Sequence, residues 1–260
     1  MKLGDYEAIA VTRRGRVLTL TMNRPERLNA VDAQLHTELS RIFVDAANDP
    51  DSDVIVLTGA GRAFCAGGDV GWMQDAIDNP DSFEVTMAEA KSIIFSLLDC
   101  PKPTISRING PAVGLGATLA LFCDISFAAE NAYLSDPHVS IGMVAGDGGA
   151  VIWPQLIGFA RAKEFLFTGD RIDARRAAEI GLINRAIPAE ELSATVDAFA
   201  DRMVAGATKA IRFTKVTVNL ALKQLASSIM DAGLAYEALT NVSRDHQLLV
   251  ERFRAKSQGR

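Results

Sequence analysis

The hydrophobic pattern near the N-terminus predicts a β-hairpin. Val17–Met22 reads V-L-T-L-T-M, which is the period-of-two alternation of a strand that buries one face. Ile9–Thr12 is rich in β-branched residues, and the basic segment Arg13–Arg16 separates the two runs. Two such runs joined by a short polar segment are typical of antiparallel neighbours.

After Asp32 the hydrophobic period changes to that of an α-helix. Asp32 is a favourable N-cap, and the segment around Asn48 and Pro50 is expected to end the helix. The apolar face of this helix is formed by Leu35, Leu39, Ile42, Phe43 and Ala46.

Further strands and helices alternate along the rest of the chain. Short β-branched runs predict buried strands at Val54–Thr58, Thr104–Ile108 and Ile125–Ala128. Helical periodicity predicts helices at Ser82–Leu98, Ala160–Thr168, Asp173–Ile180, Glu190–Ala205 and Ala207–Ala226, with an apolar helix that ends at Cys123. This order indicates an α/β fold. A change in composition near Pro188 predicts a core over residues 1–190 and a helical C-terminal region over residues 191–260, packed on the core or on a neighbouring subunit.

Composition and charge narrow the class of partner. The 260 residues are 48% hydrophobic and 23% charged, which is typical of a globular protein. The formal net charge of −5 argues against nucleic acid or an anionic membrane as a partner, because both favour basic surfaces. Neither a signal-peptide pattern nor an 18-residue apolar run is present in the sequence, so we expect a soluble, cytoplasmic protein. The three dispersed cysteines, Cys65, Cys100 and Cys123, predict packing residues rather than a disulfide framework or a zinc site.

Two glycine-rich loops are the candidate chemical features. The loops span Gly59–Asp69 and Asn109–Gly116, and each lies between a predicted strand and a predicted helix. Backbone N–H groups at such junctions lack partners within the helix, and glycine lets a ligand approach them closely. Two such loops on neighbouring strands can aim two N–H donors at one oxygen, which is the geometry of an oxyanion hole.

Other interpretations of the glycines are possible. The second loop continues as G-L-G-A-T-L, which lacks the third glycine of a dinucleotide fingerprint, and no G-K-[ST] follows either loop. A purely structural role, in which the glycines permit tight turns and close helix packing, remains open for each loop at this point.

Three motifs resemble the crotonase (enoyl-CoA hydratase/isomerase) superfamily in order and spacing. They are MNRPERLNA at Met22–Ala30, AFCAGGD at Ala63–Asp69 and KPTISRING at Lys102–Gly110, and the match continues through Cys123-Asp124-Ile125, Gly169, Ala177 and Gly181–Ile183. The resemblance implies a crotonase-like spiral of ββα units with a C-terminal helical region, assembled as a homotrimer or homohexamer.

The same resemblance implies a substrate and the groups that bind it. Members of the superfamily act on acyl-CoA thioesters, so coenzyme A is expected as part of the substrate rather than as a tightly bound cofactor, and no metal is expected. By position, the N–H groups of Gly68 and Leu115 would form an oxyanion hole for a thioester enolate. The implied binding residues are Arg27, Leu28, Ala66, Gly68, Asp69, Val70, Leu115 and Thr118.

Two positions depart from the family's hydratases, which carry two glutamates that handle the water and the α-proton. Thr118 stands at the first position and His138 at the second. A histidine with an ordinary pKa of about 6.5 is a competent general acid or base near neutral pH. Asp147, nine residues further on, could orient it and raise its pKa, so both are catalytic candidates. A structural role for His138, or an N-cap role for Asp147, remains open.

Three functions are compatible with these residues. The first is an enzyme acting on an acyl-CoA, nominally an enoyl-CoA hydratase or isomerase, with His138 in place of the usual glutamates. The second follows from a His/Asp arrangement similar to that of the superfamily's β-diketone C–C hydrolases, which implies retro-Claisen cleavage of a cyclic diketone. The third is a non-catalytic protein that binds acyl-CoA.

The remaining polar candidates have structural or solvent-exposed interpretations. His36 and His246 lie on helical patterns, and we expect both on solvated faces. Asp124 is expected to be a structural hydrogen-bonding group. A C-terminal basic cluster, made of Arg252, Phe253, Arg254 and Lys256, is either a solvated helix end or, by the resemblance, a contact for coenzyme A.

Overall fold

Nine strands form two sheets in the computed structural model, which describes residues 3–258, with side chains up to residue 255. The main sheet has six strands in the order β1-β2-β3-β4-β6-β9, and the small sheet has the order β5-β7-β8. The strands are β1 (Ile9–Arg14), β2 (Val17–Met22), β3 (Val54–Gly59), β4 (Thr104–Ile108), β5 (Ala112–Val113), β6 (Ile125–Ala129), β7 (Tyr133–Ser135), β8 (Ile172–Asp173) and β9 (Arg185–Ile187).

Ten α-helices accompany these strands in the described residues. They are α1 (Ala33–Asn48), α2 (Val70–Asp78), α3 (Ser82–Asp99), α4 (Leu115–Phe122), α5 (Gly149–Ile157), α6 (Phe159–Thr168), α7 (Ala174–Glu179), α8 (Leu192–Val204), α9 (Thr208–Asn241) and α10 (Arg244–Gln258). Short 3₁₀ helices lie at Pro25–Arg27 and His138–Ile141. No helix within residues 3–258 is long and apolar enough to span a membrane.

The strand pairing confirms the predicted hairpin and the ββα spiral. β1 and β2 are antiparallel, and the other neighbours in the main sheet are parallel. β4 in the main sheet is followed by β5 in the small sheet and then by α4, and β6 is followed in the same way by β7. Each turn of the spiral therefore places the end of a main-sheet strand beside a loop of the previous turn. This arrangement brings the two glycine-rich loops next to each other.

The packing of α1 confirms its predicted apolar face and corrects one prediction. Leu35, Leu39, Ile42, Phe43 and Ala46 are fully buried, and Asp32 caps the helix by accepting from the Leu35 N–H. His36, which we expected on a solvated face, is only 2% exposed. The expectation was wrong because α3 covers this side of α1 as well.

The prediction for His246 was wrong for a similar reason. His246 is completely buried, and its Nδ1 lies 2.5 Å from the carbonyl oxygen of Ile141. Helix α10 packs on α2 and on the 3₁₀ helix His138–Ile141, so the face that carries His246 points inward.

Asp124 has the structural role that the sequence predicts. Its carboxylate accepts from the N–H and hydroxyl of Thr104 at 2.7 and 2.8 Å, and it forms an ion pair with Lys215 Nζ at 2.8 Å. Because Lys215 lies on α9, this pair fastens the C-terminal region to the sheet. Cys65, Cys100 and Cys123 are all buried and not joined in disulfides, which agrees with packing roles.

The C-terminal region packs against the core of its own chain. α8 contacts β2, β3, β4 and β6, whereas α9 contacts α3 and α5. α9 continues to Asn241, well beyond the predicted end at Ala226. Arg252, Phe253 and Arg254 are exposed on α10, and Lys256 lies outside the described side chains. The boundary at residue 190 stays a prediction.

Candidate active site

A cavity of about 470 Å³ lies between the two glycine-rich loops, the 3₁₀ helix at His138–Ile141 and helices from both parts of the chain. Its volume is within the usual range for small-molecule sites. Four predicted catalytic residues line it together: Gly68, Leu115, His138 and Asp147. Ala66 and Val70 also line it, whereas Arg27, Leu28, Asp69 and Thr118 are not part of its wall.

Hydrogen bonds on either side of Gly68 fix the first loop. The Val31 N–H donates to the Gly67 carbonyl at 2.7 Å, and the Asp69 N–H donates to the Val31 carbonyl at 2.8 Å. Asp69 then caps α2 through the N–H of Gly71. The N–H of Gly68 has no acceptor among the residues that the structure describes, so it is available to a ligand.

Gly114 orients the second loop. Its φ of 54° and ψ of −125° are accessible to glycine but strained for other residues, and its N–H donates to Ser135 at 2.9 Å. Leu115 follows as the first residue of α4, so its N–H has no partner within the helix. No acceptor for this N–H is found elsewhere in residues 3–258.

The two loops also contact each other directly. The Val113 N–H donates to the Cys65 carbonyl at 2.9 Å, and a Cβ added at Gly116 would lie 2.6 Å from the Cβ of Cys65. Gly116 therefore permits close packing between the two loops, which is the structural role that the sequence also allowed for these glycines. That packing holds the two N–H-bearing loops in a fixed relation.

His138 lies between two carboxylates. Its Nδ1 is 2.5 Å from Asp136 Oδ1, and its Nε2 is 3.7 Å from Asp147 Oδ2. Burial alone would lower the pKa of His138, but the negative charges of Asp136 and Asp147 outweigh burial and raise the pKa well above its usual value. The structure therefore brings His138 and Asp147 together.

Asp136 was not predicted from the sequence, although it lies only two residues before His138. Pro137 turns the chain so that the Asp136 carboxylate reaches back to the imidazole. Its second oxygen, Oδ2, is buried without a hydrogen-bond partner in the described residues. The sequence signal that could have revealed it is the local D-P-H order, in which a short acidic side chain precedes a histidine in a tight turn.

Asp147 is held at the entrance to α5. Its Oδ1 lies 3.4 Å from the Thr118 hydroxyl, which donates to it, and 3.4 Å from the Gly149 nitrogen. Gly148, with a φ of 122°, occupies the N-cap position itself. Asp147 therefore contributes to capping only through its 3.4 Å contact with the Gly149 nitrogen. Burial raises the pKa of Asp147 above its usual value.

Glu237 is a fourth ionisable residue of the site that the sequence analysis missed. It comes from α9, is 7% exposed, and its Oε2 has no hydrogen-bond partner within the described chain. Burial raises its pKa to about 8, and the negative charges of Asp147 and Asp136 act in the same direction. Glu237 is therefore largely protonated at neutral pH.

A close crossing of two glycines brings Glu237 to the cavity. The backbone of Gly233 on α9 lies so near Gly146 that a Cβ on Gly146 would be 2.4 Å from the Gly233 carbonyl oxygen. A signal for Glu237 was present in the helical period, because it continues the buried stripe of Ala226, Met230 and Leu234.

The group Asp136, His138 and Asp147 has ligand atoms close enough to hold a metal ion, within 4.8 Å of one another. The two carboxylates, however, lie at opposite nitrogens of one imidazole ring, whose lone pairs diverge. These three residues therefore fit a proton-transfer chain better than a common coordination sphere.

Comparisons with known proteins agree with this fold. The family model for enoyl-CoA hydratase/isomerase matches residues 12–252. A crotonyl-CoA hydratase of Syntrophomonas wolfei is 33% identical over 216 residues, which cover 82% of each chain. The crystal structure of an enoyl-CoA hydratase/isomerase from Mycobacterium paratuberculosis has a TM-score of 0.92 and 37% identity, and the match covers 95% of this chain and 99% of that one.

A second kind of enzyme is also similar in structure. A β-diketone hydrolase from the cyanobacterium Anabaena, solved bound to (S)-3-oxocyclohexyl acetic acid, has a TM-score of 0.86 and 31% identity, over 92% of this chain and 96% of that one. The chain is therefore similar to enzymes of two reaction classes, and the residues of the site decide between them. The family, in contrast, follows directly from the matched length and identity: this chain belongs to the enoyl-CoA hydratase/isomerase family.

Proposed function

We propose that this protein converts an acyl-CoA thioester through an enolate, as an enoyl-CoA hydratase or isomerase in which His138 takes the place of the usual glutamates. One observation carries the proposal. The imidazole of His138, fixed between two carboxylates, lines the same cavity as Gly68 and Leu115. Acid–base groups and available N–H donors thus share one site.

The enolate oxygen would be stabilised by the N–H groups of Gly68 and Leu115. A thioester enolate concentrates negative charge on the former carbonyl oxygen, and fixed donors stabilise that charge without reorganising. Each such donor contributes about 2.7–4 kcal/mol to the transition state. Because both donors are backbone groups, the side chain of Leu115 is not needed for this role.

Proton transfer would be carried out by the His138–Asp147 pair. Asp136 holds Nδ1 and so directs Nε2 towards Asp147 and the cavity. The separation of 3.7 Å between His138 Nε2 and Asp147 Oδ2 is too long for a direct hydrogen bond. Both groups are therefore able to contact one substrate or water oxygen. In hydration, the water oxygen bonds to the β-carbon, the pair takes the released proton, and the α-carbon takes a proton from the pair or from neutral Glu237.

The test is turnover of a panel of enoyl-CoA thioesters by the wild type and by His138→Gln. We expect kcat to fall about 10²–10⁴-fold in the variant, the usual range for loss of a general acid or base. The increase in melting temperature caused by coenzyme A should remain, because His138 belongs to the proposed acyl site and not to the proposed path of the coenzyme A moiety. Wild-type turnover by the variant would refute the assignment.

Arg27, Leu28 and Asp69 lie outside the cavity wall, and we propose that they line the outer path of the coenzyme A moiety. We also propose assembly as a homotrimer or homohexamer. Phe213 and Leu220 on α9 are 61% and 58% exposed, and exposed apolar helix surfaces are typical of subunit interfaces. Light scattering of the purified protein would measure the assembly.

A second candidate is hydrolysis of a C–C bond in a cyclic β-diketone. It is favoured by the contact between His138 and Asp147 and by the similarity to the Anabaena β-diketone hydrolase. Water would add to one carbonyl carbon, the C–C bond would break, and the second carbonyl would leave as an enolate in the oxyanion hole before protonation. Cleavage of cyclic 1,3-diketones without any binding of acyl-CoA would favour this candidate. Binding of acyl-CoA without turnover of either class would favour a non-catalytic binding protein.

A further inference from the structure

His36, one of three histidines that line the cavity, takes no part in the proton-transfer group. His36 lies on α1, and its Nδ1 is 2.8 Å from Glu89 Oε2 on α3. The other oxygen of Glu89 accepts from the Thr37 hydroxyl at 2.8 Å. The imidazole packs against the indole of Trp72 with ring centroids 5.1 Å apart, and Trp72 lines the same cavity.

The contacts of Glu89 define which nitrogen of His36 is left for a ligand. Burial alone would raise the pKa of Glu89, but hydrogen bonds from His36 and Thr37 outweigh burial and hold the pKa below its usual value. An ionised Glu89 accepts the proton on Nδ1, and in the tautomer that carries this proton Nε2 is a hydrogen-bond acceptor. No hydrogen-bond partner for Nε2 is found among the described side chains and backbone.

The position of His36 argues for a ligand-binding role. Its neighbours on the buried face of α1, Leu35 and Leu39, are apolar, and an apolar residue at position 36 would suit a pocket for a plain hydrocarbon acyl chain. Nε2 is open to the cavity and is not among the buried side-chain atoms that lack a partner. An apolar substrate group that covered Nε2 would remove it from water without a partner, which is unfavourable, whereas a hydrogen-bond donor on the substrate would pair with it.

We propose that His36 is a specificity-determining residue whose Nε2 accepts a hydrogen bond from a hydroxyl group on the acyl part of the substrate, away from the thioester carbonyl. This inference rests on the proposed binding of an acyl thioester. It names the substrate class as hydroxyl-bearing acyl-CoA, with Trp72 as an apolar surface beside the hydroxylated part.

The test measures binding and needs no turnover. Phenylacetyl-CoA and its 2-, 3- and 4-hydroxy derivatives carry no double bond for hydration, and calorimetry gives the Kd of each. We expect at least one hydroxy isomer to bind the wild type about tenfold more tightly than phenylacetyl-CoA, which is the usual net effect of one hydrogen bond. In His36→Leu this ratio should fall to about one, whereas His36→Gln, whose amide oxygen can accept, should keep part of it.

His138→Gln is the matched control, because it removes another cavity histidine and should leave the tenfold ratio unchanged. If phenylacetyl-CoA binds but no hydroxy isomer binds more tightly, the inference about His36 is wrong while acyl-CoA binding stands. If none of the four thioesters binds, the proposed function fails instead.

A purely structural link between α1 and α3 predicts a different result. In that case His36→Leu lowers the melting temperature but keeps the wild-type binding ratio, which would overturn the proposal. If His36→Leu does not fold, the same comparison is made with His36→Gln. One result for this variant would also overturn the proposal: an unchanged binding ratio, together with tighter binding of the 3-oxocyclohexylacetyl thioester than of any hydroxy compound. That result would assign His36 as a hydrogen-bond donor.

Discussion

Replacement of Glu237 by glutamine should make the protein more stable at neutral and alkaline pH while it reduces activity. Glu237 is 7% exposed, its Oε2 has no hydrogen-bond partner in the described residues, and Asp136 and Asp147 lie nearby. Burial raises its pKa from 4.5 to about 8. Glutamine has nearly the same shape and carries no charge at any pH.

The size of the effect follows from the two pKa values. Because the pKa is higher in the folded protein, the folded state holds this proton more tightly. The resulting stability is complete below pH 4.5 and is lost as the pH rises through about 8. At 1.36 kcal/mol for each pKa unit, the full loss is about 5 kcal/mol, of which about 3 kcal/mol has occurred by pH 7. Glu237→Gln avoids this loss.

Urea unfolding of both proteins between pH 4.5 and 9 measures the difference directly. The free energy of unfolding should be nearly equal at pH 4.5, and the variant should gain about 3 kcal/mol at pH 7 relative to the wild type. The same substitution at Glu251, which is exposed on α10, provides the control and should give no such trend. A difference that is constant with pH, or a variant that is less stable at pH 8, would refute the reasoning. Unchanged kcat would remove Glu237 from the chemistry.

Two further perturbations test the geometry of the site. In Asp136→Asn, loss of a charge-assisted hydrogen bond of about 1.5–3 kcal/mol should lower kcat by about 10- to 100-fold. The raised pKa of His138 stabilises the folded wild type fully below about pH 6.5, and this stabilisation is lost as the pH rises through the pKa of His138 in the folded state. The free energy of unfolding that this variant loses should therefore be largest at acidic pH. Unfolding curves at pH 5.5 and 8.5 measure the difference. In Gly114→Ala, a φ of 54° should cost about 1–3 kcal/mol and misplace the Leu115 N–H, with more than a tenfold loss of kcat. Gly15→Ala, at a φ of 55° in an exposed turn, should lose stability without losing activity, and equal kcat losses in the two glycine variants would contradict the oxyanion assignment.

The parts of the site that depend on local chain geometry were predictable from the sequence. The N–H groups of Gly68 and Leu115 lie at strand–loop–helix junctions, where unpaired donors arise from the backbone alone. His138 could be placed because the resemblance to the crotonase superfamily puts it at the position of a family glutamate, and Asp147 was noted nine residues further on. The contact between them, which the sequence left open, depends on how the chain returns to the cavity at the start of α5.

The missed residues depend on packing between distant segments. His36 and His246 have ordinary helical environments in the sequence, and only the covering of α1 by α3, and of α10 by α2, makes them buried. Glu237 is 90 residues from Asp147, so no local motif connects them. α9 was predicted to end at Ala226, but its buried stripe continues through Met230, Leu234 and Glu237, and Gly233 within this stretch lies in close contact with Gly146.

The crossing of Gly146 and Gly233 has a consequence for how new reactions arise on this scaffold. The proposed oxyanion loops belong to the spiral, whereas Glu237, the proposed proton donor, lies on a helix of the C-terminal region. A substitution on α9 can therefore change the proposed proton donor without changing the sequence of either glycine-rich loop. The two parts of the proposed site come from different segments of the chain, which approach each other closely where the backbones of Gly146 and Gly233 meet.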